Sequence, residues 1–276
     1  MHILYLDDYK IDEQSHLASL GVGCARMSLT DALAEHGLDS LNTDVAMEVR
    51  GHRLSSVQFE QLHARAREAG LSFTTSPRAY KIGGSFALQY PLLGNLSPGA
   101  MVATAEASDA ELATALCEVG LRLPLFVRSE IESAAKYVGV GGCVVTVASE
   151  RGVGAAVGNL RRHVAGFRSI IFKEMAEIGV DTNSGQPLEY RAVATAGRFL
   201  LFDFDACDGL PNPISLGLQS YVETALERLA GGGADGSFFL DIAMTEEKPI
   251  VVECKNLLNG TIKAVRRFGE ALLRTY

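Results

Sequence analysis

The stretch Phe238-Phe239-Leu240-Asp241-Ile242, followed by Thr245-Glu246-Glu247-Lys248-Pro249 and then Ile250-Val251-Val252-Glu253, decides the reading of this chain. Two apolar, β-prone runs flank a polar turn that carries a proline, which is the signature of a β-hairpin. With the turn centred near Glu247, Asp241 lies opposite Glu253. Like charges facing each other across a strand pair destabilise a sheet unless something neutralises them. A divalent cation does so, and magnesium takes one or two protein carboxylates and completes its shell with water and phosphate oxygens. The plainer alternative is a solvent-facing strand pair whose carboxylates point apart or pair with Lys255.

Composition narrows the classes. The chain has 276 residues, 47% hydrophobic and 21% charged, enough for one large domain or two smaller ones. A net charge of −8 argues against a general nucleic-acid binder, which needs a basic face for phosphate. The start Met1-His2-Ile3-Leu4-Tyr5-Leu6-Asp7-Asp8 turns acidic too soon for a signal peptide, and no uncharged apolar run approaches the roughly 20 residues that span a bilayer. Cys24, Cys117, Cys143, Cys207 and Cys254 are scattered and odd in number, with no CxxC, as in a reduced, cytoplasmic protein without a zinc site.

Hydrophobic patterning divides the chain near Ala105. In the first part a buried strand over 3–6 and helices over 28–36 and 56–69, the latter stopped by Gly70, suggest a small α/β layer structure. Between Phe73 and Val102 the Ser-Pro, Gly-Gly and Ser-Pro-Gly punctuation reads as connection. Ser108 and Glu111 then form a capping box ahead of a helix that ends at Gly120. Strands follow over 123–127 and 143–148, a helix over 155–165, and strands over 169–172, 188–195 and 199–204. A helical stripe through Leu218, Val222, Leu226 and Leu229 precedes the hairpin, and a last helix carries Ile262, Val265, Phe268 and Leu272. Helices on antiparallel sheets make this second part an α+β body with two sublobes.

The order of these motifs resembles the ATP-grasp superfamily, whose members hold ATP between two α+β sublobes and commonly join a carboxylate to an amine. The resemblance covers roughly residues 109–276, with residues 1–105 in the place of the smaller pre-ATP-grasp domain and sublobes at about 106–170 and 171–276. Asn95-Leu96-Ser97-Pro98-Gly99 looks like the turn that often precedes the grasp domain.

The resemblance implies roles for particular residues. At the end of Leu125-Phe126-Val127-Arg128, Arg128 stands where the family usually has a phosphate-binding lysine; a guanidinium binds phosphate in bidentate fashion, so the exchange is chemically sensible. A surface arginine after a strand is the plain alternative. Ser133-Ala134-Ala135-Lys136-Tyr137-Val138-Gly139 resembles the small-residue loop whose lysine reaches the phosphates. It is not a Rossmann fingerprint, since a strand rather than a helix follows the glycines. Ile170-Ile171-Phe172-Lys173-Glu174-Met175-Ala176-Glu177 looks like the strand and hinge that receive adenine, with Lys173 beside the base or α-phosphate and the main chain from Glu174 onward reading the base edge. A buried strand leaving for solvent would look the same. Glu189 and Arg191 share one strand face. The resemblance gives Glu189 the ribose hydroxyls and Arg191 the phosphate or acyl-phosphate region, against the alternative of a cross-strand ion pair worth under about 1 kcal/mol.

Asp241 and Glu253 match the family's magnesium-holding acids. The usual third ligand is an Asn two residues after the Glu, but this chain has Lys255 there and Asn256 one further on, on the opposite face of a regular strand. A bulge that re-aims Asn256, a share of the work for Lys255, or Asn259 would complete the site.

The implied activity is ATP-dependent ligation with Mg2+, acting through an acyl-phosphate on a small amino-acid or peptide carboxylate and an amine or thiol. In it Arg128 and Arg191 are catalytic and Lys136, Lys173, Glu174, Met175, Ala176, Glu177 and Glu189 complete the nucleotide site. No persuasive nucleophile is present: Cys143, Cys207 and Cys254 read as core thiols and His163 as surface. Substrate choice would fall to residues 76–95 and 206–215, where Arg78 and Lys81 suit an acidic substrate or simply a solvated face. A non-catalytic nucleotide-binding or regulatory protein and a small-molecule kinase are the competing readings. A homodimer is common among such proteins.

Overall fold

A computed structural model describes residues 2–41, 43–130, 144–147, 150–163, 166–181, 185, 187–203 and 212–275. Two compact units emerge, and neither is a single run of sequence. The first comprises Met1–Gly83, Glu189–Ile242 and Glu253–Tyr276, the second Gly84–Leu188 and Ala243–Val252.

The first unit opens with a parallel sheet of β1 (His2–Leu6), β2 (Gly23–Met27) and β3 (Met47–Arg50), in the order β2-β1-β3. Between them run α1 (Ile11–Ser19) and the short α2 (Leu29–Leu33). Beyond His2, strand β1 is apolar and buried because both of its faces are covered. Leu4 and Leu6 join Val49, Phe59, Leu62 and Tyr80 in one core. Ile3 and Tyr5 join Val193, Phe239 and Phe268 in another. The helix expected over 28–36 is shorter than its pattern. Ser28 caps it as expected, its Oγ accepting from Asp31 N at 3.0 Å, but the chain turns extended at Ala34, which lets Leu38 enter the core.

Helix α3 (Ser56–Glu68) begins with a capping box between Ser55 and Gln58. The segment read from sequence as connection is instead largely regular. It contains α4 (Pro77–Gly83), α5 (Phe86–Leu93) and β4 (Ala100–Thr104). Ser76-Pro77 is a helix start rather than a turn: Ser76 Oγ accepts from Ala79 N at 3.1 Å, and Pro77 occupies the first helical position, where a missing N–H costs nothing.

The second unit is an antiparallel sheet in the order β4-β7-β5-β6, formed by β4, β5 (Leu125–Ser129), β6 (Val144–Val147) and β7 (Ser169–Glu174). Helices α6 (Asp109–Val119) and α7 (Glu150–His163) cover it through Leu112, Val157 and Leu160 on Val127, Ile170 and Phe172. Helix α6 ends at Gly120 with φ 69°, a left-handed cap that glycine adopts without strain. Strand β4 hydrogen-bonds along β7, so residues on both sides of the division expected near Ala105 share one sheet. Strand β7 likewise crosses the sublobe division expected near residue 170.

The remaining sheet has the order β11-β10-β8-β9, from β8 (Glu189–Thr195), β9 (Arg198–Phe202), β10 (Phe238–Met244) and β11 (Pro249–Asn256). Helix α8 (Asn212–Gly231) precedes the hairpin and α9 (Val265–Thr275) closes the chain. Asp203, buried just after β9, accepts from the backbone of Lys263 and Ala264 at 2.7–3.1 Å and so satisfies donors at the start of α9. Among the described residues no helix is long and apolar enough to cross a membrane. The observed class is α+β.

Candidate functional site

The hairpin forms where its sequence places it. Thr245 N donates to Lys248 O at 3.1 Å, and Thr245 Oγ1 donates to the same carbonyl at 2.7 Å, closing a turn over Glu246 and Glu247. Within the first unit, Asp241 on β10 and Glu253 on β11 come within reach of one ammonium: Lys255 Nζ lies 2.7 Å from Glu253 Oε2 and 3.4 Å from Asp241 Oδ2. From β8, Arg191 grips Asp241 with a two-pronged contact, Nε to Oδ1 at 2.6 Å and Nη2 to Oδ2 at 3.0 Å. Its guanidinium lies 5.1 Å from the Phe239 ring centroid. All four charged side chains are partly buried, from 25% exposed for Asp241 to 32% for Lys255.

Electrostatics couple the four. The hydrogen bonds that Arg191 donates to Asp241 hold its guanidinium above its ordinary pKa against the opposing effect of burial. Burial works against the Lys255 charge, but Glu253 and then Asp241 outweigh it, so its pKa rises. Both of the plainer alternatives for these residues are thus present: the acids pair with Lys255, and Arg191 makes a cross-strand ion pair, although with Asp241. Between Glu253 and Lys255, Cys254 faces the core, where burial, then Glu253 and Asp241, push its thiol far above the ordinary range. It is no nucleophile.

Asn256 does not join the acids. Strand β11 keeps its alternation here, so Glu253 and Lys255 share a face and Asn256 takes the other, buried, with Nδ2 donating to Tyr80 O at 2.9 Å. Its Oδ1 is buried without a partner, packed against Gly83 where a Cβ would not fit. Asn256, expected as the third ligand, thus lies on the face opposite Glu253 and Lys255 with its amide given to Tyr80 O. The side chain of Asn259 lies outside the described residues.

Two hard carboxylates on one strand-pair face suit magnesium, which needs no more protein donors than that when water and phosphate complete the shell. Among the described residues no group of three or more His, Cys, Asp or Glu is arranged to hold a metal, which excludes a cage made wholly of such side chains there.

The second unit carries the other expected residues. Arg128 sits on β5 beside Ile171 of β7, partly buried, with Nε 3.4 Å from Ser129 O. On β7, Lys173 donates Nζ to Val252 O and lies 4.9 Å from the Phe86 ring centroid. Glu174 is held by Arg122, whose backbone N donates to Oε1 at 2.7 Å, and its carboxyl closes over Gly99, where a Cβ would come within 2.8 Å. The amides of Glu174 and Met175 are donated to Gly99 O and Pro124 O at 2.8 and 3.0 Å. Ala176 and Glu177 continue the chain beyond them. Glu189 is exposed at the start of β8. Lys136 and its loop lie outside the described residues, as do residues 204–211.

Sequence reasoning missed Arg122 and Phe239 as partners, because nothing in local patterning brings them to Glu174 or Arg191. Arg78 and Lys81 are engaged structurally: Arg78 Nε donates to Gly232 O at 2.8 Å and Lys81 pairs with Glu60 at 2.5 Å.

No family model matches the sequence, and no curated protein matches it either. Solved structures do. A RimK domain ATP-grasp protein from Sphaerobacter thermophilus is similar at 16% identity with TM-score 0.63, over 99% of this chain and 100% of that one. D-cycloserine synthetase DcsG is similar at 12% identity with TM-score 0.65, over 100% of this chain and 99% of that one. D-alanine–D-alanine ligase from Bacillus anthracis, in complex with ATP, is similar at 11% identity with TM-score 0.56, over 100% of this chain and 97% of that one. The chain has the ATP-grasp fold along essentially its whole length.

Proposed function

We propose that this chain is a cytoplasmic, ATP-dependent ligase that joins the carboxylate of a small amino acid or peptide to an amine or thiol. The observation that carries the reading is the convergence of Asp241, Glu253 and Arg191 on adjacent strands of an ATP-grasp fold.

The reaction needs a poor acyl donor turned into a good one. A carboxylate oxygen of the substrate attacks the γ-phosphorus of ATP, and ADP leaves. The amine nitrogen or thiol sulfur then attacks the acyl-phosphate carbon, phosphate leaves, and the nucleophile's proton passes to solvent or phosphate. Positioning and charge neutralisation dominate such a transfer, so cationic groups are what the protein contributes. Arg128 and Lys136 bind phosphate oxygens. Arg191, held on Asp241, supplies positive charge to the transferred phosphoryl or acyl-phosphate oxygens. Asp241 and Glu253 would hold magnesium, which would neutralise charge on the phosphates. Lys173 lies beside the base or α-phosphate, Glu189 takes the ribose hydroxyls, and Ala176 and Glu177 carry the base-edge contacts, because the amides of Glu174 and Met175 are already donated. The neighbours D-cycloserine synthetase and D-alanine–D-alanine ligase support small substrates of this kind.

A second reading, a nucleotide-binding protein without turnover, draws on the neutralised state of the acid pair. ADP and phosphate release with magnesium-ATP and a panel of amino acids and short peptides separates the two. Substrate-dependent ADP and phosphate in equal amounts, abolished by Glu253→Gln, support the ligase. ADP without free phosphate indicates a kinase, and ATP binding without turnover across the panel favours the second reading. No ATP binding at all overturns the nucleotide site.

A further inference from the structure

The cation between Asp241 and Glu253 belongs to the protein itself. Lys255 Nζ touches both carboxylates, and Arg191 occupies both oxygens of Asp241. Among the described residues, the two carboxylates are thus already met by two cations before any metal arrives. A divalent ion approaching it meets carboxylates that are already hydrogen-bonded and two cations at close range, and must displace one of them.

The two cations are not equally held. Arg191 is pinned by a matched fork to Asp241 and by the face of Phe239 at 5.1 Å. Lys255 holds one acid well at 2.7 Å and the other only at 3.4 Å. Its ammonium is a point charge with rotatable donors on a flexible four-carbon stem, with no planar geometry to satisfy. It is the group that can transfer to a polyphosphate oxygen while its backbone stays in the strand.

We infer that Lys255 is a tethered counter-cation that closes the Asp241–Glu253 pair to divalent metal until a nucleotide polyphosphate draws the ammonium away, so that the metal enters with the nucleotide and not before it. This rests on the reading of those two acids as the metal ligands. In the nucleotide-free state the ammonium stands in for the metal, and in the nucleotide-bound state it becomes one more positive group on the phosphates.

The test is Mn2+ binding to the full chain, read by the loss of free-ion electron paramagnetic resonance signal, with and without a non-hydrolysable ATP analogue. Without nucleotide, Lys255→Gln should bind Mn2+ about tenfold or more tightly than wild type, since one cation has been removed from the site. With the analogue present the two proteins should differ by less than about threefold, because the ammonium has left the acids in wild type as well. Lys255→Met, which keeps the stem and removes the charge, serves as the second variant and must behave like Lys255→Gln. Equal Mn2+ affinity of wild type and both variants without nucleotide overturns the proposal while leaving the metal ligands intact, provided Glu253→Gln weakens Mn2+ binding with the analogue. If Glu253→Gln binds Mn2+ as wild type does in that state, or if neither binds it, the acids are not the ligands and the proposal falls with them.

Discussion

Arg191 and Asp241 are joined by a two-pronged contact between neighbouring strands, Nε to Oδ1 at 2.6 Å and Nη2 to Oδ2 at 3.0 Å. The planar fork of the guanidinium matches the carboxylate, and an ammonium at the same place offers one prong only. Arg191→Lys should therefore lose about 1 kcal/mol of stability in urea denaturation, and Arg191→Leu about 2 kcal/mol, since the latter leaves Asp241 half-buried and facing only the weaker, 3.4 Å contact with Lys255 among the described residues. Added magnesium chloride should raise the melting temperature of Arg191→Leu more than that of wild type. Equal shifts would mean that Arg191 does not limit the ion's access to Asp241.

Glu48 on β3 is buried, with Oε2 accepting from Thr74 Oγ1 at 2.6 Å and Ser237 Oγ at 2.5 Å. Burial raises its carboxyl pKa above the ordinary 4.5, and the two hydroxyls only partly oppose this. A carboxyl raised in the folded state contributes stability that is complete below its unfolded pKa and is lost as pH rises through the folded one. The free energy of unfolding of wild type should thus fall relative to Glu48→Gln as pH rises above about 4.5. Parallel pH profiles for the two proteins would contradict this assignment.

The ion pair of Arg50 and Glu13 is almost wholly enclosed, 0% and 4% exposed. Arg50 Nε and Nη2 meet the two carboxylate oxygens at 3.0 and 3.1 Å, and Arg50 also donates to Leu257 O and Gly260 O. Removing one partner of a buried pair strands the other, at about 3–5 kcal/mol. Arg50→Met should cost more than Glu13→Gln, because it also removes a charged donor from Leu257 O and Gly260 O, which keep only Gly260 N and Tyr9 Oη. A Glu13→Leu/Arg50→Met double variant should recover part of the loss, as denaturant titration of all four proteins would reveal.

Gly260 follows β11 with an ordinary extended backbone, φ −80°, so any side chain is conformationally allowed there. A Cβ would nevertheless overlap the ring of Phe239. Gly260→Ala should cost about 1–3 kcal/mol through overpacking alone. The displaced ring is the one beside Arg191, so the variant should also weaken nucleotide binding. Phe239→Leu added to Gly260→Ala should restore stability in thermal melting but not the lost contact with Arg191.

Local pattern determined much of this protein. The hairpin with its two acids, the capping boxes at Ser55 and Ser108, the Gly120 stop and the strands around Val127, Phe172 and Val193 are all signalled within a few residues of themselves. Even the parity that separates Asn256 from Glu253 follows from strand alternation over residues 253–256. The α+β class and the order of elements behind the ATP-grasp fold were legible for the same reason: capping, turn chemistry and periodicity are short-range.

Tertiary structure decided which distant groups meet. That β4 pairs with β7, and that residues 77–93 fold as helices, depends on packing that Ser-Pro and Gly-Gly punctuation does not reveal. That Asp241 takes Arg191 from β8, that Lys255 bridges the acid pair, and that Arg122 holds Glu174 are side-chain pairings between strands and loops separated along the chain. A residue's type and its neighbours in sequence set its charge and the face it occupies. Its partner is set by the strand order and by the cost of leaving a half-buried charge without one, and that cost exists only once the chain has closed around it.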